Sequence, residues 1–143
     1  EIYTLSLHDA LPIFDCVERI FLMLACEAYD VEQLENDTRI VMHFSPKVAP
    51  YLAAVLPLSK QLNDQAKEVL AKLNKYFSVT YDETASIGKR YRRQDAIGTP
   101  YCITVDFDTE SDGCVTVRDR DTMKQERMPI ENVRADLESK IID

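Results

Sequence analysis

Two stretches of this sequence concentrate side chains suited to nucleic-acid chemistry. Lys89, Arg90, Arg92 and Arg93 form a basic run with no acid in it and with Tyr91 set among them. Guanidinium forks pair with phosphate oxygens or base edges, and an aromatic ring stacks on an unpaired base. On a helix, positions 89, 92 and 93 share a face and Arg90 points elsewhere. The ordinary alternative is a solvated helix face with pairs such as Arg92–Asp95. The second stretch is Arg118-Asp119-Arg120-Asp121. In a strand, Arg118 and Arg120 project to one side, and Asp119 and Asp121 to the other or into a turn. That alternation suits a salt-bridged surface strand. It equally suits recognition of cytosine, whose amino group donates to aspartate while arginine donates to the ring nitrogen and carbonyl. Thr99, Pro100 and Tyr101 open the preceding strand and are placed to complete such a pocket.

Other chemically suggestive residues carry less. The four cysteines (Cys16, Cys26, Cys102, Cys114) contain no Cys-x-x-Cys pair and have no histidine at ligand spacing, so free thiols are expected and no metal. Asp108 to Gly113 imitates the start of a calcium loop, with Asp119 at the twelfth position. An EF-hand loop lies between helices and closes on glutamate, whereas both flanks here alternate with period two, which reads as a polar hairpin turn. His43 follows two apolar residues of a short strand and is given no role. Asp82-Glu83 reads as a loop approaching a helix.

The formal net charge of −8 argues against a phosphate partner until its distribution is considered. Residues 1–47 hold three basic and nine acidic side chains, and residues 48–143 hold fourteen and sixteen. The acid is concentrated ahead of the basic run, so the local field leaves RNA open as a partner. The longest apolar run, Ile20 to Cys26, is too short to span a bilayer, and no secretory leader is evident; a cytoplasmic protein with no membrane partner is the expectation.

The elements that must position these residues follow from periodicity. The first thirteen residues, EIYTLSLHDALPI, resemble a translated sequencing adapter and are set aside from fold reasoning, with His8 and Asp9 among them. Cys16 to Tyr29 reads as a helix apolar nearly all round, which belongs inside something larger. Residues 30–39 are acidic and read as a linker, and residues 39–44 as a short strand. Ser45-Pro46 looks like an N-cap with a first-turn proline. Tyr51 to Leu58 suggests a buried strand. A helix capped by Ser59 follows from about Lys60 to Phe77, then a strand at 78–81, giving a βαβ unit with parallel strands. Ile87 to Ile97 reads as a helix stopped by Gly98. Two alternating segments (101–107 and 114–119) and Lys124 to Met128 give three antiparallel strands, and Pro129 opens a final amphipathic helix. The expected fold class is α/β: a mixed five-stranded sheet flanked by about three helices.

Three segments, AAVLPLSKQL (53–62), YDETASIGKRYRRQDAIGTPYCITVDFDT (81–109) and VTVRDRDTMKQERMPI (115–130), resemble in order and spacing the carboxy-terminal domain of class II glycyl-tRNA synthetases. Upstream, CVERIFLMLACEAYD resembles the end of the third class II signature motif. The resemblance implies an ATP-contacting Arg19 with Glu18 beside it, in a remnant formed by Cys16, Val17, Glu18 and Arg19. Cys16 stands where the family has glycine, and the first and second signature motifs are absent. The implied organisation is an adapter-like segment at 1–13, the end of a catalytic domain and a linker at 14–47, and an anticodon-binding domain at 48–143. For the intact family the resemblance implies a glycine–tRNA ligase that uses ATP and Mg, acts as a homodimer, and reads the tRNA-Gly anticodon. For this chain it implies no catalysis and no cofactor, an RNA partner and no DNA. The implied tRNA-binding residues are Lys89, Arg90, Arg92, Arg93, Thr99, Tyr101, Arg118, Asp119 and Arg120. A free-standing RNA-binding accessory module of the same fold is the alternative.

Overall fold

Apolar runs from residue 53 onward build a five-stranded sheet in a computed structural model, which describes residues 17–34 and 37–142. Its strands are β3 (Ala53–Pro57), β4 (Val79–Tyr81), β5 (Tyr101–Val105), β6 (Cys114–Asp119) and β7 (Gln125–Pro129), ordered β4-β3-β5-β6-β7. β3 runs parallel to both β4 and β5, while β5, β6 and β7 are mutually antiparallel. The expected mixed sheet and parallel βαβ unit are therefore present. β3 and β5 are buried at every position, as befits central strands covered on both faces.

Alternation assigns the two faces. Ala53, Val55, Tyr101, Ile103, Val105, Val115 and Val117 point to one side, where they meet α2 (Asn63–Leu73) and α5 (Ile130–Ile142) through Ala66, Val69, Leu73, Val133 and Leu137. Fully burying each large side chain there contributes on the order of 1.5–3 kcal/mol. The opposite face carries a smaller cluster, Ala54, Leu56 and Cys102, covered by Ile87 and Tyr91 of α3 (Ile87–Ile97). One helix cannot cover that whole face, so the part formed by β6 and β7 stays open.

Local signals act where expected. Ser59 Oγ accepts from the Gln61 amide at 3.5 Å to open a short 3-10 turn, Lys60–Leu62, which leads into α2. α2 ends at Leu73, earlier than the periodicity suggested. Gly98 ends α3 in the left-handed region at φ 91°. A Cβ at that position would lie 2.5 Å from Phe44 Cδ2 and 3.0 Å from the Met42 carbonyl oxygen, so glycine serves both the turn and a close approach.

The region ahead of the sheet departs from expectation. α1 (Val17–Ala28) is the anticipated apolar helix, and it leaves Val17, Ile20, Phe21, Leu22 and Met23 exposed. Residues 30–39 are not a linker. Of these, 30–33 and 38–39 lie in an antiparallel hairpin, β1 (Tyr29–Gln33) and β2 (Thr38–Met42), which packs against α3. Ser45-Pro46 opens a single turn rather than a helix, with the Ala49 amide donating to the Ser45 carbonyl. The loop before β6 contains one helical turn, α4 (Thr109–Asp112), closed by Gly113 at φ 65°. The adapter-like segment, His8, Asp9 and Cys16 lie outside the described residues.

Candidate nucleic-acid interface

The arginines singled out by sequence divide into two groups once their surroundings are seen. Arg118 and Arg120 are 5% and 3% exposed. Arg118 makes a bidentate pair with Asp95 of α3, Nη1 to Oδ1 at 2.8 Å and Nη2 to Oδ2 at 3.1 Å, and Asp95 is fully buried. Arg39 of β2 donates to the same carboxylate at 3.1 Å and to the Arg120 carbonyl at 3.0 Å. Arg120 donates to the carbonyls of Phe44 and Gly98, each at 3.0 Å, and grips Asp121 with Nε and Nη2. These guanidiniums tie the hairpin, α3 and the end of β6 together. The expectation that Arg118 and Arg120 read bases is corrected: both side chains are buried, and their guanidiniums are engaged by Asp95, by Asp121 and by backbone carbonyls. The Arg92–Asp95 pair offered by the solvated-face alternative does not form either, since Asp95 is taken by Arg118 and Arg39.

Arg90 belongs with the buried group. It donates to the carbonyls of Pro57, Glu83, Thr84 and Ala85, pinning the loop that enters α3. Ala85 is held there with φ 63°, a conformation rarely adopted by a residue with a side chain. Thr99 is buried and donates to Gln94. Tyr101 lies on the α2/α5 side of the sheet, away from Arg118. The supposed pocket of Thr99, Tyr101 and Arg118 therefore does not assemble. Asp119 turns inward to its own loop and accepts from the amides of Asp121 and Thr122, both at 2.9 Å.

Lys89 and Arg93 are exposed on α3 and Arg92 is half-buried, so the predicted common face exists without Arg90. Arg92 reaches Asp37 at 2.7 Å and Arg93 lies 3.1 Å from Asp82. Surface pairs of this kind are worth about 0–1 kcal/mol and exchange readily with a phosphate.

The open part of the sheet supplies residues that sequence reading missed. Beside α3 lies a groove of about 300 Å³ lined by Leu58, Ile87, Tyr91, Thr104, Asp106, Thr116 and Gln125. Tyr91 Oη lies 2.6 Å from Thr104 Oγ1, and the Arg118 guanidinium sits 4.8 Å from its ring centroid. One ring face is thus already taken by an arginine. Arg127 pairs across β6 with Thr116 and is held by Asp106 and Asp112. Its hydrogen bond to Asp106 is the main reason that carboxyl titrates below the usual range. Threonine, glutamine, aspartate and arginine on one open sheet surface offer both donors and acceptors to base edges. The signal was present in the alternation of β7, which puts Gln125 and Arg127 on one face.

Residues 52–140 match the family model described as an anticodon binding domain. The chain belongs to that family. Around this anticodon-binding domain the likeness extends further. The chain is 60% identical over 129 residues to glycine–tRNA ligase of Clostridium perfringens and 61% identical over 124 residues to that of Bacillus cereus, covering 87% of this chain in each case. It spans only 28% and 27% of those two proteins. Among solved structures, the RNA binding domain of threonyl-tRNA synthetase from Cryptosporidium parvum superposes with a TM-score of 0.65 at 27% identity, over 68% of this chain and 25% of that one. Histidyl-tRNA synthetase from Nostoc shares the fold, with a TM-score of 0.61 at 16% identity, over 64% of this chain and 23% of that one. These likenesses bear out the expected fold class and resemblance.

Glu18 and Arg19 are exposed on the first turn of α1.

Proposed function

We propose that this chain reads the anticodon of glycine tRNA as part of a glycine–tRNA ligase. The observation that carries the proposal is the 60% identity to glycine–tRNA ligases across nearly the whole chain, with residues 52–140 matching an anticodon-binding family. Those relatives also favour the ligase over a free-standing accessory module. The intact protein would join glycine to its tRNA with ATP and Mg, as a cytoplasmic homodimer. Residues 14–47 would be the end of its catalytic domain, whose bulk would cover the exposed apolar side of α1. Among the described residues no helix is long and apolar enough to cross a membrane.

In this proposal the unstacked anticodon bases lie across the open sheet beside α3. Asp106, Thr116, Gln125 and Arg127 meet their Watson–Crick edges, while Lys89, Arg92 and Arg93 hold the backbone. Of the residues first expected to bind tRNA, these three cations keep that role. Arg90, Arg118 and Arg120 shape the surface from beneath.

The test is titration of the chain with glycine-tRNA anticodon stem-loops and with stem-loops altered at the second and third anticodon bases, at two salt concentrations. The expected result is weak, salt-sensitive binding that prefers the glycine loop, reduced by roughly 1–3 kcal/mol in Arg127→Ala if Arg127 contacts a base. Equal affinity for all loops would place specificity elsewhere.

A further inference from the structure

Three side chains that the RNA surface does not use converge on one side of the hairpin. Asp30 and Glu32 are two residues apart in β1 and so share a face. The His43 amide donates to the Ala28 carbonyl at 2.7 Å, which extends the β1–β2 pairing and brings the imidazole to that same face. His43 Nε2 lies 3.3 Å from Glu32 Oε1 and 3.7 Å from Asp30 Oδ2, and the three donor atoms all fall within 4.8 Å of one another. Ligands bound tetrahedrally at about 2.0–2.1 Å stand roughly 3.4 Å apart, so the two distances to Nε2 match edges of such a polyhedron.

The other polar atom of each group is already held. His43 Nδ1 is 2.6 Å from Asp121 Oδ1, and Asp121 is fixed by Arg120 at 2.8 and 2.9 Å. Asp30 Oδ1 accepts from the Val31 amide at 2.7 Å, and Glu32 Oε2 accepts from Arg39 Nε at 2.6 Å. Each group therefore has one donor atom left, and the three leftover atoms are the ones that converge. A carboxylate on Nδ1 selects the tautomer whose Nε2 lone pair is free, as zinc-ligating histidines require. Around a neutral imidazole, three carboxylates (Asp30, Glu32, Asp121) face two guanidiniums (Arg39, Arg120), an excess of negative charge that a cation relieves.

We propose that Asp30, Glu32 and His43 bind one divalent transition-metal ion, zinc by preference, with the fourth position left to water. One nitrogen and two oxygens suit such an ion better than Mg or Ca, which take six or more oxygen ligands or keep much of their water. Bound there, the ion fastens β1 to the end of β2. Through Asp121 it also fastens the hairpin to the turn after β6. A proton on His43, caught between the same carboxylates, is the competing occupant.

The test titrates the metal-free 143-residue chain with Zn2+ by calorimetry and with Co2+ by visible absorption. One equivalent is expected, with tetrahedral cobalt bands and no thiolate charge-transfer band. Binding should weaken at least tenfold in His43→Ala and in Asp30→Asn. Asp121→Asn should weaken it roughly 10- to 100-fold with all three ligands in place. Circular dichroism verifies folding, and the exposed Asp30 keeps the test decisive if His43→Ala unfolds. Absence of stoichiometric uptake, unchanged affinity in Asp30→Asn, a thiolate band, or Mg2+ binding as tightly as Zn2+ each overturns the proposal.

Discussion

Toward the hairpin, α3 offers Asp95 to two guanidiniums that water does not reach, while on its outer side it offers Lys89 and Arg93 to solvent. The residue types are alike and the duties are opposite. A buried bidentate pair such as Arg118–Asp95 is a structural joint, and removing one partner leaves an uncompensated charge costing about 3–5 kcal/mol. An exposed cation costs almost nothing to remove, and its charge stays available to a phosphate. The comparison teaches that side chains of one type can be spent on joining elements where they are buried and left to solvent where they are not.

The sharpest way to break that contrast is Asp95→Asn, which orphans Arg118 and weakens the hold on Arg39. Equilibrium unfolding in urea should show a loss of roughly 3–5 kcal/mol. Gly98→Ala comes next. It combines a left-handed backbone with a side chain set against Phe44 and Met42, and roughly 2–4 kcal/mol should be lost. A smaller effect lies in the acid limb of stability. The Arg39 guanidinium, hydrogen-bonded to Glu32, holds that carboxyl below its ordinary value of 4.5. A carboxyl depressed by folding stabilises above its unfolded value and loses that contribution as pH falls through the lower folded one. Stability should therefore decline below about pH 4.5, with a shallower decline in Glu32→Gln. The smallest effect is expected at Lys89→Ala and Arg93→Ala, within about 0.5 kcal/mol of wild-type stability, although each should reduce stem-loop affinity and flatten its salt dependence.

Much of the fold was legible because the sheet and its helices obey simple periods. Ser59, Gly98 and Pro129 mark boundaries that the structure keeps, and the apolar spacing of Val133, Leu137 and Ile141 gave the face of α5. The second strand of the hairpin was legible in residues 39–44, and the first was not, because its pattern is inverted. Val31 and Ile40 point to solvent, while the inward face carries Asp30, Glu32, Arg39 and His43, so an acidic stretch looked like a linker. The shared exposed face of Lys89, Arg92 and Arg93 on α3 was legible, and the burial of Arg118 and Arg120 was not. Nothing local to Arg118 or Arg120 reveals partners 23 and 76 residues away, and burial of an arginine is decided by such partners. The Thr116, Gln125 and Arg127 surface passed unnoticed because its members are ordinary polar residues made neighbours only by strand pairing.

One pair of measurements on a single variant tests the division most directly: the unfolding free energy and the glycine stem-loop affinity of Arg118→Gln, both taken at low temperature. A structural arginine predicts a loss of about 3–5 kcal/mol in stability and an affinity within about twofold of wild type in the folded protein. Unchanged stability with affinity lost tenfold or more would mean that Arg118 meets the RNA itself, and the account would be wrong at its centre.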